Sequence, residues 1–199
     1  MCISKKWCKL YGVGVNDADY FVAPKVLGVQ NMCPFYQRWK DMLYRCYSPN
    51  AKIKYLTYKD AYVCEEWKTF TNFKKWMELQ DWEGNDLDKD ILVRGNKEYS
   101  PSTCAFVSSQ TNTLILDSLA ARGVNPIGVT KHGRGFRARS KNGCGSNVYI
   151  GTYQNIKDAE NAYWSYKHKR ALELSEVQSD PRIANALRTI FLDRIIGVK

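Results

Sequence analysis

Ile127 to Arg170 reads IGVTKHGRGFRARSKNGCGSNVYIGTYQNIKDAENAYWSYKHKR, and this stretch decides the fold. Three short alternating runs are separated by Gly-rich turns, at Gly133-Arg134-Gly135 and at Lys141 to Ser146. In Phe136-Arg137-Ala138-Arg139 a period of two places Phe136 and Ala138 on one face and both arginines on the other. Val148 and Ile150 are expected to face inward with Phe136 and Ala138. After Asn155, residues Ala159, Ala162, Tyr163 and Tyr166 recur at helical spacing, and the two alanines would let that helix sit close on the sheet. The reading is a three-stranded antiparallel sheet backed by one helix. Its opposite face would carry Lys131, Arg134, Arg137 and Arg139, with Lys141 and Tyr149 beside them. The stretch holds nine Lys and Arg against two acids, Asp158 and Glu160, so +7 of the chain's net +10 lies here. Charge runs alone usually mark a solvated face. Arginines alternating on one sheet face, with a packed face behind them, point instead to a polyanion such as double-stranded DNA.

The motif GV…GxFRAR…VYIGTY…DAENAYW also resembles the ethylene-response-factor (Apetala-type) DNA-binding domain. That resemblance implies a three-stranded sheet lying in the major groove of double-stranded DNA, braced by a helix. It would make Lys131, Arg134, Arg137, Arg139, Lys141 and Tyr149 the DNA-binding residues.

The other 155 or so residues, about one small domain's worth, have their own character. The chain is 199 residues long, 44% hydrophobic and 13% aromatic, enough for a folded core rather than a disordered segment. No run is apolar enough to span a bilayer or serve as a secretory signal, so no membrane partner is expected. Seven cysteines, an odd number with no C-x-x-C pair, read as reduced thiols in a cytoplasm; zinc is not expected. The first thirty residues read as loops with one hairpin. Pro34 opens a helix whose apolar face is Phe35, Trp39, Met42, Leu43 and Cys46. Tyr58 to Val63 reads as a strand, and Thr71 or Asn72 as the cap of a second helix carrying Phe73, Trp76 and Met77. Trp39, Trp67, Trp76 and Trp82 are expected in a core.

Leu87 to Leu114, LDKDILVRGNKEYSPSTCAFVSSQTNTL, predicts a strand over 87–93, a turn at Arg94-Gly95-Asn96, a strand over 104–107 and a helix from Ser109. This pattern resembles the HNH, or ββα-metal, motif of phage homing endonucleases, and CPFYQRWKDMLYRCYS and EEWKTFTNFKKWM resemble their upstream region. The resemblance implies a catalytic ion, Mg²⁺, held by Asp88 and Asn112. Lys89 stands where the family has its catalytic His, and Thr103 where it has its middle Asn. A lysine base must be neutral, and from its reference pKa of about 10.4 that costs roughly 4 kcal/mol at working pH. The site therefore reads as degenerate, with Lys89 expected to meet a phosphate or a carboxylate instead.

Arg122 to Pro126 is a turn-rich joint. Past the basic stretch, Asp180 caps a final helix with Pro181 at its first position. Its stripe of Ile183, Ala184, Leu187, Ile190, Phe191 and Ile195 ends at Gly197 and should dock on its own chain, the alternative being a homodimer. The expected organisation is α+β: an HNH-like domain over 1–121, the basic domain over 127–175 and an amphipathic helix over 180–197. The expected function is that of a phage-type DNA-binding protein of the bacterial cytoplasm, with a Mg²⁺-dependent nicking endonuclease and a basic inhibitor of a host protein as alternatives.

Overall fold

The computed structural model describes residues 9–116, 124–143 and 146–196. The chain is a mixed α+β protein of small sheets and helices. It divides into two compact units, Met1–Glu83 with Leu87–Phe106, and Gly84–Asp86 with Val107–Lys199. The division falls at Phe106/Val107, ahead of the joint that composition suggests near 122–126. Arg122 and Gly123 of that joint lie outside the described residues.

The first unit is built on aromatic packing. A hairpin, β1 (Lys25–Val26) and β2 (Val29–Gln30), lies in the first thirty residues as expected. Helix α1 (Pro34–Tyr47) starts on its proline and buries Trp39, Met42, Leu43 and Cys46. A short α2 (Pro49–Lys54) follows. The strand expected over 58–63 shrinks to β3 (Tyr62–Val63), since residues Leu56–Tyr58 coil into a 3-10 turn. Helix α3 (Phe70–Met77) is entered from Thr69, not from Thr71 or Asn72. The reason is Asp17, whose carboxylate takes both the Thr71 amide at 2.9 Å and the Thr71 hydroxyl at 2.5 Å. Trp39, Trp67, Phe70 and Phe73 are fully buried, and Trp76 and Trp82 pack against them half-buried. Each fully buried ring contributes on the order of 2–3 kcal/mol. Trp39 also donates its Nε1–H to the Trp67 carbonyl at 2.7 Å, which satisfies its polar edge.

The strand expected over 87–93 is only β4 (Asp86–Asp88). Asp88 Oδ1 accepts the amides of Asp90 at 2.8 Å and Ile91 at 2.7 Å and turns the chain out of the ladder. Strand β5 (Glu98–Tyr99) pairs in parallel with β3, and β6 (Ala105–Val107) belongs to the same two-stranded sheet as β4. Cys46 and Cys104 are buried free thiols whose pKa burial pushes up to about 12, and Cys33 and Cys64 are half-buried free thiols.

In the second unit, α4 (Ser109–Ile115) is capped by Ser108, whose Oγ accepts the Thr111 amide at 3.1 Å. Strands β7 (Val129–His132), β8 (Gly135–Lys141) and β9 (Asn147–Tyr153) form the antiparallel sheet in chain order. Helix α5 (Ile156–Ser175) starts at Asn155, which accepts the Asp158 amide at 2.8 Å. Its buried stripe is Ala159, Tyr163, Lys167, Ala171 and Leu174, spaced mostly by four, while Ala162 and Tyr166 are only half-buried. Asp180 caps α6 (Pro181–Thr189), and a separate α7 (Leu192–Ile196) follows. The continuous final helix expected from the stripe is thus broken. Thr189 Oγ1 bonds the carbonyls of Asn185 and Ala186 at 3.2 Å, competing with helix continuation. Phe191 then turns onto Trp164 of α5, 5.8 Å between ring centres, so the stripe docks within its own unit. Gly197 lies outside the described residues. Among the described residues no helix is long and apolar enough to cross a membrane.

Candidate nucleic-acid interface

Register decides which side chains the sheet presents. The β7–β8 ladder pairs Val129 with Ala138, Thr130 with Arg137, Lys131 with Phe136 and His132 with Gly135. Directly opposed residues share a face. Val129, Phe136 and Ala138 pack with Ile150, Tyr153, Ala159 and Ile156 on the helix side. Thr130, Arg137, Arg139 and Lys141 therefore line the outer face. Lys131 does not join them, which corrects the sequence expectation. It lies on the Phe136 side, with Nζ 4.4 Å from the centre of that ring. The turn holds two residues, Gly133 and Arg134, rather than three, and one residue of slip moves a strand's whole side-chain set to the other face. Gly133 has φ +55°, a conformation that a tight two-residue hairpin turn requires.

Between β8 and β9 the register shifts at Ala138/Arg139, with Ala138 opposite Gly151 and Arg139 opposite Tyr149. Ile150 is the extra residue, and the bulge lets it turn inward beside Gly151. The outward Tyr149 is exposed, its hydroxyl 3.0 Å from Thr152 Oγ1. Arg137 Nη2 rests against the His132 ring, 2.8 Å from Nδ1, and Arg137 Nε is buried without a partner among the described residues. Arg134, at the turn, and Arg139 and Lys141, on β8, are exposed. No acidic residue occurs from Val124 to Lys157. None of these cations forms a salt bridge with a carboxylate among the described residues. Arg137 and Arg139 are two residues apart on one strand, about 7 Å, and share this face.

Behind the sheet, Gly128 makes the close approach possible. It has φ +73°, and a Cβ there would stand 2.2 Å from the Tyr163 ring and 2.6 Å from the Arg139 carbonyl.

The residues of the second motif hold their own loop together, with Lys89 on a carboxylate as expected. Lys89 is 5% exposed, and its ammonium meets both carboxylate oxygens of Asp90 at 2.8 Å and the Asn96 carbonyl at 2.7 Å. Asn96 answers with Nδ2 on the Lys89 carbonyl at 2.9 Å and Oδ1 on the Glu98 amide at 3.0 Å. Lys89 is thus a cross-link that closes the 89–98 loop, and a carboxylate is its partner. Thr103 Oγ1 donates to the Glu98 carbonyl at 2.9 Å and lies 2.9 Å from Ser100 Oγ, stitching the same loop. Asp88 spends Oδ1 on the two amides of its turn, and burial raises its pKa above the usual carboxylate value. In the second unit, Asn112 Nδ2 donates to Asp86 Oδ2 at 3.3 Å, and Ser109 Oγ reaches the same oxygen at 3.0 Å. Sequence reading did not single out Asp86 as the partner of Asn112. Among the described residues no group of three or more His, Cys, Asp and Glu side chains converges as a metal centre would.

The chain matches no family model, no curated protein and no solved structure.

Proposed function

We propose that this protein binds double-stranded DNA through the outer face of the β7–β8–β9 sheet, as the resemblance to the ethylene-response-factor domain implies. One observation carries the reading: Arg137, Arg139 and Lys141 alternate along one strand face, free of carboxylate partners among the described residues, while the opposite face is packed against α5. An unneutralised set of cations on a rigid platform is suited to phosphates, and guanidinium forks are suited to base edges. Arg134 extends the set at the turn, and Tyr149 adds an exposed ring on the neighbouring strand. Lys131 takes a packing role against Phe136.

The cleavage chemistry of the HNH resemblance is assigned a minor place. Its general-base position is occupied by a charged lysine bonded to Asp90 and Asn96, which has no lone pair to accept a proton from water. The reading is of an HNH-like scaffold retained as structure; the alternative is a Mg²⁺-dependent nicking endonuclease.

The test is a duplex titration of Arg137→Ala/Arg139→Ala by gel shift. Both side chains leave the packing face untouched, so the variant should fold and bind at least about tenfold more weakly, roughly 1.4 kcal/mol. Wild-type affinity should fall with salt at a log–log slope between about −3 and −6, from four to six phosphates neutralised. Normal binding by the double variant, or a slope near zero, defeats the interface; the latter outcome favours an acidic host protein as partner.

A further inference from the structure

The second unit holds a cavity of about 470 Å³ behind the sheet, walled by the end of α4, the 125–128 loop, the sheet and α5. Its volume lies in the range of small-molecule sites, roughly 300–1,000 Å³. Part of the wall is apolar, from Leu116, Pro126, Ile127 and Val129, with the Tyr163 ring beside them. Lys167 also lines it. This lysine occupies the middle of the buried stripe of α5 and is 4% exposed. Its ammonium donates to the Leu114 carbonyl, one of the last carbonyls of α4, which lack partners within their helix. The rings of Tyr163 and Phe191 lie 5.9 and 5.4 Å from Nζ.

That set satisfies a helix end but not a charge. A neutral donor would serve Leu114 equally well, whereas a buried ammonium without a counter-ion is costly. Among the described residues no carboxylate pairs with Lys167 and none lines the cavity. The β8 stretch Arg139–Lys141 borders it as well. Burial also pulls the Lys167 pKa down to about 8, the cost of a charge awaiting compensation. An anion would supply it, and the apolar wall would accept an anion's organic body.

We propose that this cavity is a binding site for a small organic anion, whose carboxylate or phosphate meets the Lys167 ammonium while its body lies against Ile127, Val129 and Tyr163. The proposal rests on Lys167 and not on DNA binding, while Thr130, Arg139 and Lys141 border the cavity as well as the outer face.

The experiment is an NMR titration of the full chain with benzoate, phenyl phosphate, inorganic phosphate and the neutral control benzamide. Benzoate or phenyl phosphate should shift the methyl signals of Ile127 and Val129 saturably, with a Kd below about 1 mM. Whichever binds more tightly identifies carboxylate or phosphate as the preferred head group. Benzamide should bind at least tenfold more weakly, and inorganic phosphate should bind more weakly than its phenyl ester. Lys167→Met should lose at least tenfold in affinity. Should that variant not fold, protection of Lys167 from acylation by the same probes in the wild-type chain, read by peptide mass spectrometry, decides the matter. Shifts confined to Arg134 and Arg137 on the outer face, equal binding of benzamide, or no protection of Lys167 would overturn the proposal.

Discussion

Replacing Lys89 by methionine keeps the length of the apolar stem and removes the three donors that close the 89–98 loop. The magnitude follows from exposure. Lys89 is buried, but the Asp90 side chain is 46% exposed and recovers water when its partner is removed. The ion pair is therefore discounted to about 1 kcal/mol. The Asn96 carbonyl loses a donor at 2.7 Å, a further cost of about 1–2 kcal/mol for an acceptor left without its bond. Together they predict about 2 kcal/mol of lost stability, and the same or more for Lys89→His, whose shorter ring cannot span the loop. Urea unfolding followed by tryptophan fluorescence reports on this unit, because Trp39, Trp67, Trp76 and Trp82 all belong to its core. With a slope of about 2 kcal/mol per molar urea, the midpoint should drop by roughly 1 M. A midpoint that stays in place would refute the cross-link and reopen Lys89 for chemistry. Lys89→His tests the same point from the other side. If that variant kept full stability and acquired Mg²⁺-dependent nicking, the structural role would be wrong.

The wild-type protein should show no nicking of plasmid DNA at neutral pH, or only traces with Mn²⁺; robust Mg²⁺-dependent cutting abolished by Asp88→Ala would overturn the view that the site is degenerate. Gly128→Ala places a methyl group into the Tyr163 ring at positive φ, so about 2–4 kcal/mol of stability should be lost, whereas an unchanged melting temperature would contradict the close packing. The Lys167 pKa is lowered on folding, so its stabilising contribution is complete above its unfolded value of about 10.5 and is lost as pH falls through about 8. Wild type should therefore gain on Lys167→Met by up to about 3 kcal/mol as pH rises through that window, and a difference independent of pH would show that Lys167 carries no buried charge.

Local chemistry is legible in this sequence wherever the deciding interaction spans a few residues. Asn155 before Asp158, and Asp180 before Pro181, mark helix starts because a cap bonds an amide two or three positions on. Phe136 and Ala138 part from Arg137 and Arg139 because strand side chains alternate, whatever lies around them. The tryptophans of the first half could be assigned to a core from size and apolarity alone. What tertiary structure decided depends on partners distant in the chain or on register across a turn. Lys131 changed faces because the hairpin turn holds two residues rather than three, a difference that composition does not encode. The bulge at Ile150 exists only in relation to β8. Thr71 was lost as a helix cap to Asp17, far earlier in the chain. Lys89 looked like a substituted catalytic residue because spacing shows which position it fills, not that Asp90 and Asn96 would enclose it. Lys167 recurs at the i+4 spacing of Ala159, Tyr163 and Ala171, a signal that was present but outweighed by the rule that lysines face water. Only the fold brings it to the Leu114 carbonyl, because burying a charge is settled by what surrounds it in three dimensions.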